Sequence, residues 1–261
     1  MKKTPKISKT VIQDYDKLVE EISKLNGTIY HSRLIIETYL TANARRKKKD
    51  ADKFFLASRL YYRSPYDGKL IAGESYSVGV KNYKEKVAEI ERRMINYFIA
   101  LAYESFEKFI RSITARIIVN NKRRAIEVSE RLGFSSYKSC CLYLQSNYKN
   151  NSDIIGLLRS MNDDLDKSFK SAKGLRNFLN FYRVYSKCRN HIIHSDDLIS
   201  VSILQKHEVI DEKFAIRYFG VQQTKGNKYI IDTSISYREV LQTITSFAYL
   251  IITSFDSSYA K

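Results

Sequence analysis

The chain has 261 residues, enough for one large domain or a core with an appendage, and its 44% apolar residues can form a sizeable core. It contains only 9 glycines and 2 prolines, and this shortage of turn-forming residues argues against sandwiches, barrels and disordered chains and favours an all-α fold. Lys and Arg number 45 against 28 Asp and Glu, and the excess of +17 favours a polyanionic partner over a basic surface that only aids solubility.

Residues 1–82 are predicted to form an N-terminal helical extension. Apolar residues with helical spacing predict helices over 11–26, 29–46 and 52–63, with Gly27 ending the first. The second predicted helix runs into five consecutive basic residues: Arg45, Arg46, Lys47, Lys48 and Lys49. This run either binds RNA phosphates or is a solvated helix end. A Ser-Pro-Tyr-Asp-Gly turn at 64–68 places a domain boundary before Tyr83.

Residues 83–261 are predicted to form a helical bundle. An apolar stripe of about eight turns predicts a long helix from Tyr83 to about Asn120. Shorter helices are expected over 122–132, 137–145, 154–169 and 175–193. The first of these carries a second basic cluster expected to bind RNA: Lys122, Arg123 and Arg124.

A small β-hairpin insertion is predicted at about 212–232. Phe214, Ile216 and Tyr218 alternate as in a strand, a turn signal follows at 225–227, and 229–231 can form the returning strand. A last helix over 241–255 completes the bundle.

The cysteines and the apolar segments indicate the cellular compartment in which the protein is expected. Three cysteines, two of them adjacent at Cys140 and Cys141, form neither a disulfide framework nor a zinc pattern. The N-terminal segment lacks the apolar stretch of a signal peptide, and no apolar run approaches the roughly 18 residues of a membrane span. We therefore expect a cytoplasmic protein with no membrane partner.

The segment richest in chemically active side chains is Cys-Arg-Asn-His-Ile-Ile-His-Ser-Asp-Asp at 188–197. A histidine at a helix end can simply interact with the helix dipole. A metal site is a second interpretation, because His191 and His194 are three residues apart and Asp196 and Asp197 follow, but no further ligand pattern supports it. We therefore expect no metal and no cofactor.

A third interpretation is phosphoryl chemistry by Arg189, Asn190 and His194. Arginine binds a phosphate through a planar pair of donors and stabilises developing negative charge, whereas an imidazole with a pKa near neutrality can move protons. Asn190 and His194 are four residues apart and share a helix face. His191 is then a flanking residue.

Arg-Asn-x3-His at 189–194, late in a helical chain, resembles the signature of the HEPN domains (higher eukaryotes and prokaryotes nucleotide-binding). The resemblance covers about residue 83 to the C-terminus. It implies a metal-independent endoribonuclease of toxin–antitoxin, abortive-infection or antiphage defence systems, with an antitoxin or another regulatory protein as its partner. It also implies a homodimer in which the Arg and His of two protomers form one site.

The same resemblance implies that an acidic residue on the early long helix supports the motif. Glu107 is the candidate, with Glu104 as the alternative on the same segment. The competing function is a noncatalytic basic helical module that binds nucleic acid or a partner chain, which explains the net charge and both basic clusters equally well.

Overall fold

The computed structural model describes residues 9–44, 54–63, 70–79, 83–120, 136–148, 151–171, 177–194, 198–200, 209–223 and 228–259. Within these ranges the helices are α1 (Lys9–Ala44), α2 (Tyr83–Asn120), α3 (Tyr137–Asn147), α4 (Asn151–Met161), α5 (Asp163–Ser171), α6 (Phe178–His194), α7 (Val209–Phe219) and α8 (Tyr237–Tyr259). The strands are β1 (Phe54–Arg63), β2 (Leu70–Gly79), β3 (Leu198–Ser200), β4 (Gln222–Gln223) and β5 (Lys228–Ile230). The predicted helical fold with a small hairpin is confirmed.

None of the helices in these ranges is both long enough and apolar enough to cross a membrane. The predicted helix at 122–132 and the predicted turns at 64–68 and 225–227 lie outside the described residues.

The chain divides into two compact units, one formed by residues 1–28 with 95–261 and the other by residues 29–94. The boundary predicted at 82/83 lies inside the second unit. That unit contains the antiparallel pair β1–β2, which runs from Phe54 opposite Gly79 to Arg63 opposite Leu70.

Two predictions for the N-terminal region were wrong. Gly27 does not end a helix, because α1 continues through it, and an isolated glycine is tolerated inside a helix at a cost of about 1 kcal/mol. The predicted helix at 52–63 is strand β1 over its described part. Phe54–Arg63 contains four aromatic residues, which favour strands, and β2 supplies the hydrogen-bonding partner.

The core of the larger unit is built around aromatic rings from four helices. Phe247 of α8 lies 5.2 Å from Phe106 of α2, 5.3 Å from Phe169 of α5 and 4.9 Å from Phe178 of α6, measured between ring centroids. Such ring pairs add to the free energy gained by burial alone. The cluster fixes the positions of α2 and α6, the two helices that carry the candidate site.

A buried hydrogen-bond network anchors α2 to the segment that follows β5. The Asn96 side chain is fully buried and donates to the Ile231 carbonyl at 2.8 Å. Its Oδ1 accepts from the backbone and the hydroxyl of Thr233, at 3.0 and 2.7 Å. A buried amide with its donors and acceptors satisfied specifies one arrangement of the elements it joins.

The strand predicted at 214–218 was wrong, because these residues belong to helix α7. Phe214, Tyr218 and Phe219 are buried, whereas Ile216 is 52% exposed, so the buried positions follow a helical and not an alternating period. The returning strand is confirmed as β5, which pairs antiparallel with β4 and with β3.

The single helix predicted over 154–169 is two helices that meet at Asn162. The Asn162 side chain accepts from the Leu165 backbone N–H at 2.9 Å, the geometry of a helix N-cap, and donates to the Ser254 carbonyl at 2.8 Å. This cap starts α5 and ties it to α8.

Candidate functional site

Helix α6 has one face packed in the core and a second, polar face along a cleft. Phe181, Tyr182, Val184, Tyr185 and Cys188 are buried. The polar positions Arg183, Ser186, Lys187 and Asn190 line a cleft of about 660 Å³. Spacings of three and four residues place both sets on continuous stripes of one helix.

Arg189 is held at the wall of this cleft by two neighbours. Its Nη2 donates to Glu104 Oε1 at 2.8 Å, and its Nη1 donates to Asn190 Oδ1 at 3.1 Å. Its side chain is 24% exposed, so the ion pair is half-buried. An arginine held through two of its nitrogens keeps a fixed orientation, which is what recognition of a phosphate requires.

The acidic residue in contact with Arg189 is therefore Glu104, the alternative to Glu107. Glu107 lines the cleft together with Arg189 and lies one turn further along α2. Burial raises the pKa of the Glu107 carboxyl above 4.5, and a hydrogen bond from Tyr103 and the charges of Arg111 and Arg189 partly offset that rise.

Tyrosine hydroxyls form the floor of the cleft on the core side. Tyr103 Oη lies 3.1 Å from Tyr182 Oη, and both residues line the cleft. Burial raises the pKa of both hydroxyls well above 10, so they stay protonated in the folded protein. The floor is therefore a neutral hydrogen-bonding surface.

Positive charge dominates the lining of the cleft. Among the described residues, five cations contribute to it: Arg111, Arg159, Arg183, Lys187 and Arg189. Glu107 is the one carboxylate in this described part of the lining. Glu104 binds Arg189, and Asp166 binds Arg159 at 2.7 Å. The described lining of the cleft therefore carries an excess of positive charge, which favours an anionic ligand.

His194 occupies a different position from the other motif residues. It is the last residue of α6, is exposed, and is absent from the lining of the cleft that contains Arg189 and Asn190. Five residues of α-helix separate it from Arg189 by about 140° of rotation and about 7.5 Å of rise. The structure thus brings Arg189, Asn190 and both candidate glutamates together, and leaves the imidazole at the helix end.

The remaining sequence-based candidates are described only in part. The two basic clusters, Arg45–Lys49 and Lys122–Arg124, lie outside the described residues, as do Asp196 and Asp197 of the alternative metal site. In the part of the chain that is described, no three His, Cys, Asp or Glu side chains are grouped closely enough to hold a metal ion.

Four cations of the cleft were not among the predicted site residues: Arg111, Arg159, Arg183 and Lys187. For Arg183 and Lys187 a signal was present, because they precede Asn190 by seven and three residues and so share its helix face. Arg111 and Arg159 lie on other helices, and only the packing of those helices brings them to the cleft.

Comparisons with protein-family models, with curated proteins and with solved structures found no match to this chain.

Proposed function

We propose that this protein is an endoribonuclease of the HEPN type that cleaves RNA by transesterification. The observation that carries the proposal is the Arg189 guanidinium, held by Glu104 and Asn190 at the wall of a cleft with surplus positive charge. An ordered guanidinium beside a site for a phosphate can stabilise the charge that develops during phosphoryl transfer.

In the proposed reaction the 2′-hydroxyl of the RNA attacks the adjacent phosphorus and loses its proton to a base. The bond from phosphorus to the 5′-oxygen breaks, and that oxygen takes up a proton, which leaves a 2′,3′-cyclic phosphate and a 5′-hydroxyl. His194 moves the proton, Arg189 stabilises the pentavalent phosphorane, and Asn190 orients the phosphate or the imidazole. The nucleophile belongs to the substrate, so the mechanism needs no metal-activated water.

The resemblance at 189–194 extends the proposal to the biological setting. It implies a cytoplasmic toxin or antiviral defence nuclease that works as a homodimer and is restrained by an antitoxin or another regulatory protein. Asn190 and His194 share a face of α6, so the polar stripe that lines the cleft continues to the exposed helix end where a second subunit would contribute.

We expect purified protein to cleave RNA in excess EDTA, and we expect His194→Ala and Arg189→Ala to lose that activity by at least about a hundredfold. Arg189→Lys should also be impaired, because an ammonium lacks the two-pronged planar contact. Cleavage is measured with labelled RNA, and circular dichroism checks the fold of each variant.

The matched control for Arg189 is Arg217→Ala. Arg217 is also an arginine paired with a glutamate, Glu239, but its side chain is 47% exposed and does not line the cleft. This variant should cleave normally. Activity that disappears in EDTA and returns with a divalent ion would contradict the mechanism.

A noncatalytic nucleic-acid-binding module is the second candidate, and the exposed position of His194 outside the cleft favours it. It predicts tight RNA binding with no cleavage under any condition, and equal behaviour of wild type and His194→Ala.

A further inference from the structure

The antiparallel pair β1–β2 forms a two-stranded ribbon in the smaller compact unit, residues 29–94. In the chain, the ribbon follows α1 and precedes α2. Arg33 of α1 binds Glu91 of α2 at 2.7 Å, so the two helices that flank the ribbon in sequence are tied to each other. The segment between these helices, residues 45–82, contains 10 Lys and Arg against 4 Asp and Glu. The ribbon therefore belongs to a strongly basic part of the chain.

The strand register divides the ribbon into a basic face and an apolar face. Residues opposite each other in an antiparallel pair lie on the same face, and successive residues of a strand alternate between the two faces. The basic face receives the pairs Ala57–Ser77, Arg59–Ser75, Tyr61–Ala72 and Arg63–Leu70, and the apolar face receives Leu56–Val78, Ser58–Tyr76 and Tyr62–Ile71. Glu74, the acidic residue of the ribbon, lies at the register shift between the second and third pairs of the basic face. Both arginines of the two strands are thus on one face.

The difference between the two faces suits them to different environments. An apolar sheet face packs against protein, which leaves the basic face for solvent or for a polar ligand. Small residues occupy the positions around the arginines on the basic face: Ala57, Ala72, Ser75 and Ser77. A ligand can therefore approach the strands closely there. Arginine and serine are among the side chains that bind the phosphate and sugar groups of nucleic acids.

The spacing of the arginines fits a double helix. Arg59 and Arg63 are four residues apart on β1, about 13 Å along an extended strand. This distance is similar to the width of an open helical groove, roughly 12 Å for the major groove of B-form DNA. Two cations at this spacing can contact phosphates on both sides of a groove. The open groove of an RNA helix is the minor groove, which is wide, shallow and lined by 2′-hydroxyls, so a ribbon can bind it without deep insertion.

We infer that the basic face of the ribbon binds helical RNA, such as the stem of a hairpin. Arg59 and Arg63 bind phosphates across the minor groove, and the hydroxyls of Ser75 and Ser77 contact the 2′-hydroxyls between them. An acidic protein would also match the charge, but the groove-wide spacing of the arginines favours a helix. The choice of RNA over DNA rests on the proposed function, whereas the fit to a double helix rests on the ribbon alone.

The experiment measures binding in a protein that cannot cleave. The full chain with His194→Ala is titrated against a fluorescent RNA hairpin, with a stem of about one helical turn, at several salt concentrations. The test variant adds Arg59→Gln and Arg63→Gln. The control variant adds Lys138→Gln and Lys213→Gln, which remove the same charge from exposed positions outside the ribbon.

We expect the test variant to bind at least tenfold more weakly and to flatten the plot of log K against log salt by about 1.8, because each phosphate contact to a double helix contributes about 0.9. The control variant should keep the slope of the parent. Arg59→Lys with Arg63→Lys should keep most of the slope because both charges remain, which separates loss of charge from loss of fold. Equal slopes for test and control variants would overturn the inference.

Competition identifies the ligand. Unlabelled hairpin should displace the probe at a concentration at least tenfold lower than single-stranded RNA of the same composition, a DNA duplex of the same length or polyglutamate. If one of these three competes as efficiently as the hairpin, the ligand is a single strand, DNA or an acidic protein, and the inference is overturned.

The inference and the proposed nuclease can fail separately, because binding is measured without cleavage. A wild-type protein that binds the hairpin through Arg59 and Arg63 but never cleaves RNA would refute the nuclease and support the ribbon as an RNA-binding face. A wild-type protein that cleaves RNA, with hairpin binding unchanged in the test variant, would refute the ribbon and support the nuclease.

Discussion

At the scale of single residues, Glu104 and Glu107 show what sequence can and cannot resolve. They are three residues apart on α2, so periodicity places both near the same face. Only the approach of α6 decides that Glu104 contacts Arg189 and that Glu107 faces the cleft with a raised pKa. The motif residues were predictable because their types and spacing are local, whereas their acidic partner depends on tertiary packing.

The raised pKa of Glu107 makes the stability of the protein depend on pH. Below pH 4.5 this carboxyl is protonated in both folded and unfolded chains, and as pH rises through its raised native pKa the folded state loses stability. Glu107→Gln does not titrate and can still accept a hydrogen bond from Tyr103. We therefore expect its melting temperature to exceed that of wild type at pH 7, with the difference smallest near pH 4.

Differential scanning fluorimetry between pH 4 and pH 8 measures this difference. Glu85→Gln, at an exposed position in the first turn of α2, is the control and should show no such trend. If Glu107→Gln instead melts lower than wild type at pH 7, attraction of the carboxylate to Arg111 and Arg189 outweighs the cost of its burial.

At the scale of secondary-structure elements, Gly220 terminates α7 and sets the start of the small sheet. Its φ of 53° lies in the left-handed region, and a Cβ at this position would lie 1.9 Å from the Asp232 carbonyl oxygen. The close approach lets the Asp232 N–H donate to the Phe219 carbonyl at 3.1 Å. A glycine after an apolar run is a helix-stop signal, and here it ends the segment that alternation had indicated as a strand.

We expect Gly220→Ala to destabilise the protein by about 2 kcal/mol or more, from left-handed strain of about 1–2 kcal/mol plus the clash with Asp232. Gly156→Ala is the matched control, and its expected change in stability has the opposite sign. Gly156 lies inside α4 with nothing within 4 Å of an added Cβ, so the change should stabilise by up to about 1 kcal/mol. Urea denaturation measures the free energy of unfolding of both variants. If both substitutions changed the free energy of unfolding by the same amount, the backbone at Gly220 would relax without strain, and the prediction would be wrong.

The sequence-based predictions were more accurate where the pattern of apolar residues is longer. Helices α2 and α8 were predicted because apolar residues recur over many turns, from Val87 to Ile117 and from Leu241 to Phe255. Strand β1 was missed because ten residues with mixed apolar and basic character fit a helix as well as a strand, and pairing with β2 decides between them. Short segments carry too few residues for periodicity to discriminate.

At the scale of the whole molecule, the half-buried position of Arg189 does not by itself require a second subunit. An arginine that is partly buried needs a wet cleft or a paired partner, and Glu104 and the cleft supply both within one chain. His194 is the residue that motivates the proposed homodimer. A rotation of about 140° separates Arg189 from His194 on one helix, and in the proposed homodimer a shared site would bring an imidazole to a phosphate bound at Arg189.

Mixing subunits tests the shared site. We expect equal amounts of wild type and His194→Ala, allowed to exchange, to retain about a quarter of the wild-type activity if both histidines serve one site, and not the half expected of independent subunits. Light scattering measures the oligomeric state over the same concentrations. A monomer that cleaves RNA at an undiminished rate on dilution would contradict the model.

Residues of the core and residues of the cleft are interleaved along the sequence of α6. This arrangement determines which kinds of mutation the site tolerates during evolution. One residue inserted after Tyr182 would rotate the rest of the helix by about 100°, which turns Tyr185 and Cys188 out of the core and carries Arg189 away from Glu104. Insertions and deletions in this segment therefore abolish stability and site together. Substitutions are therefore the only changes that this helix accepts during evolution. We expect homologues to keep the 17-residue length of α6 even where every residue along the cleft has been replaced.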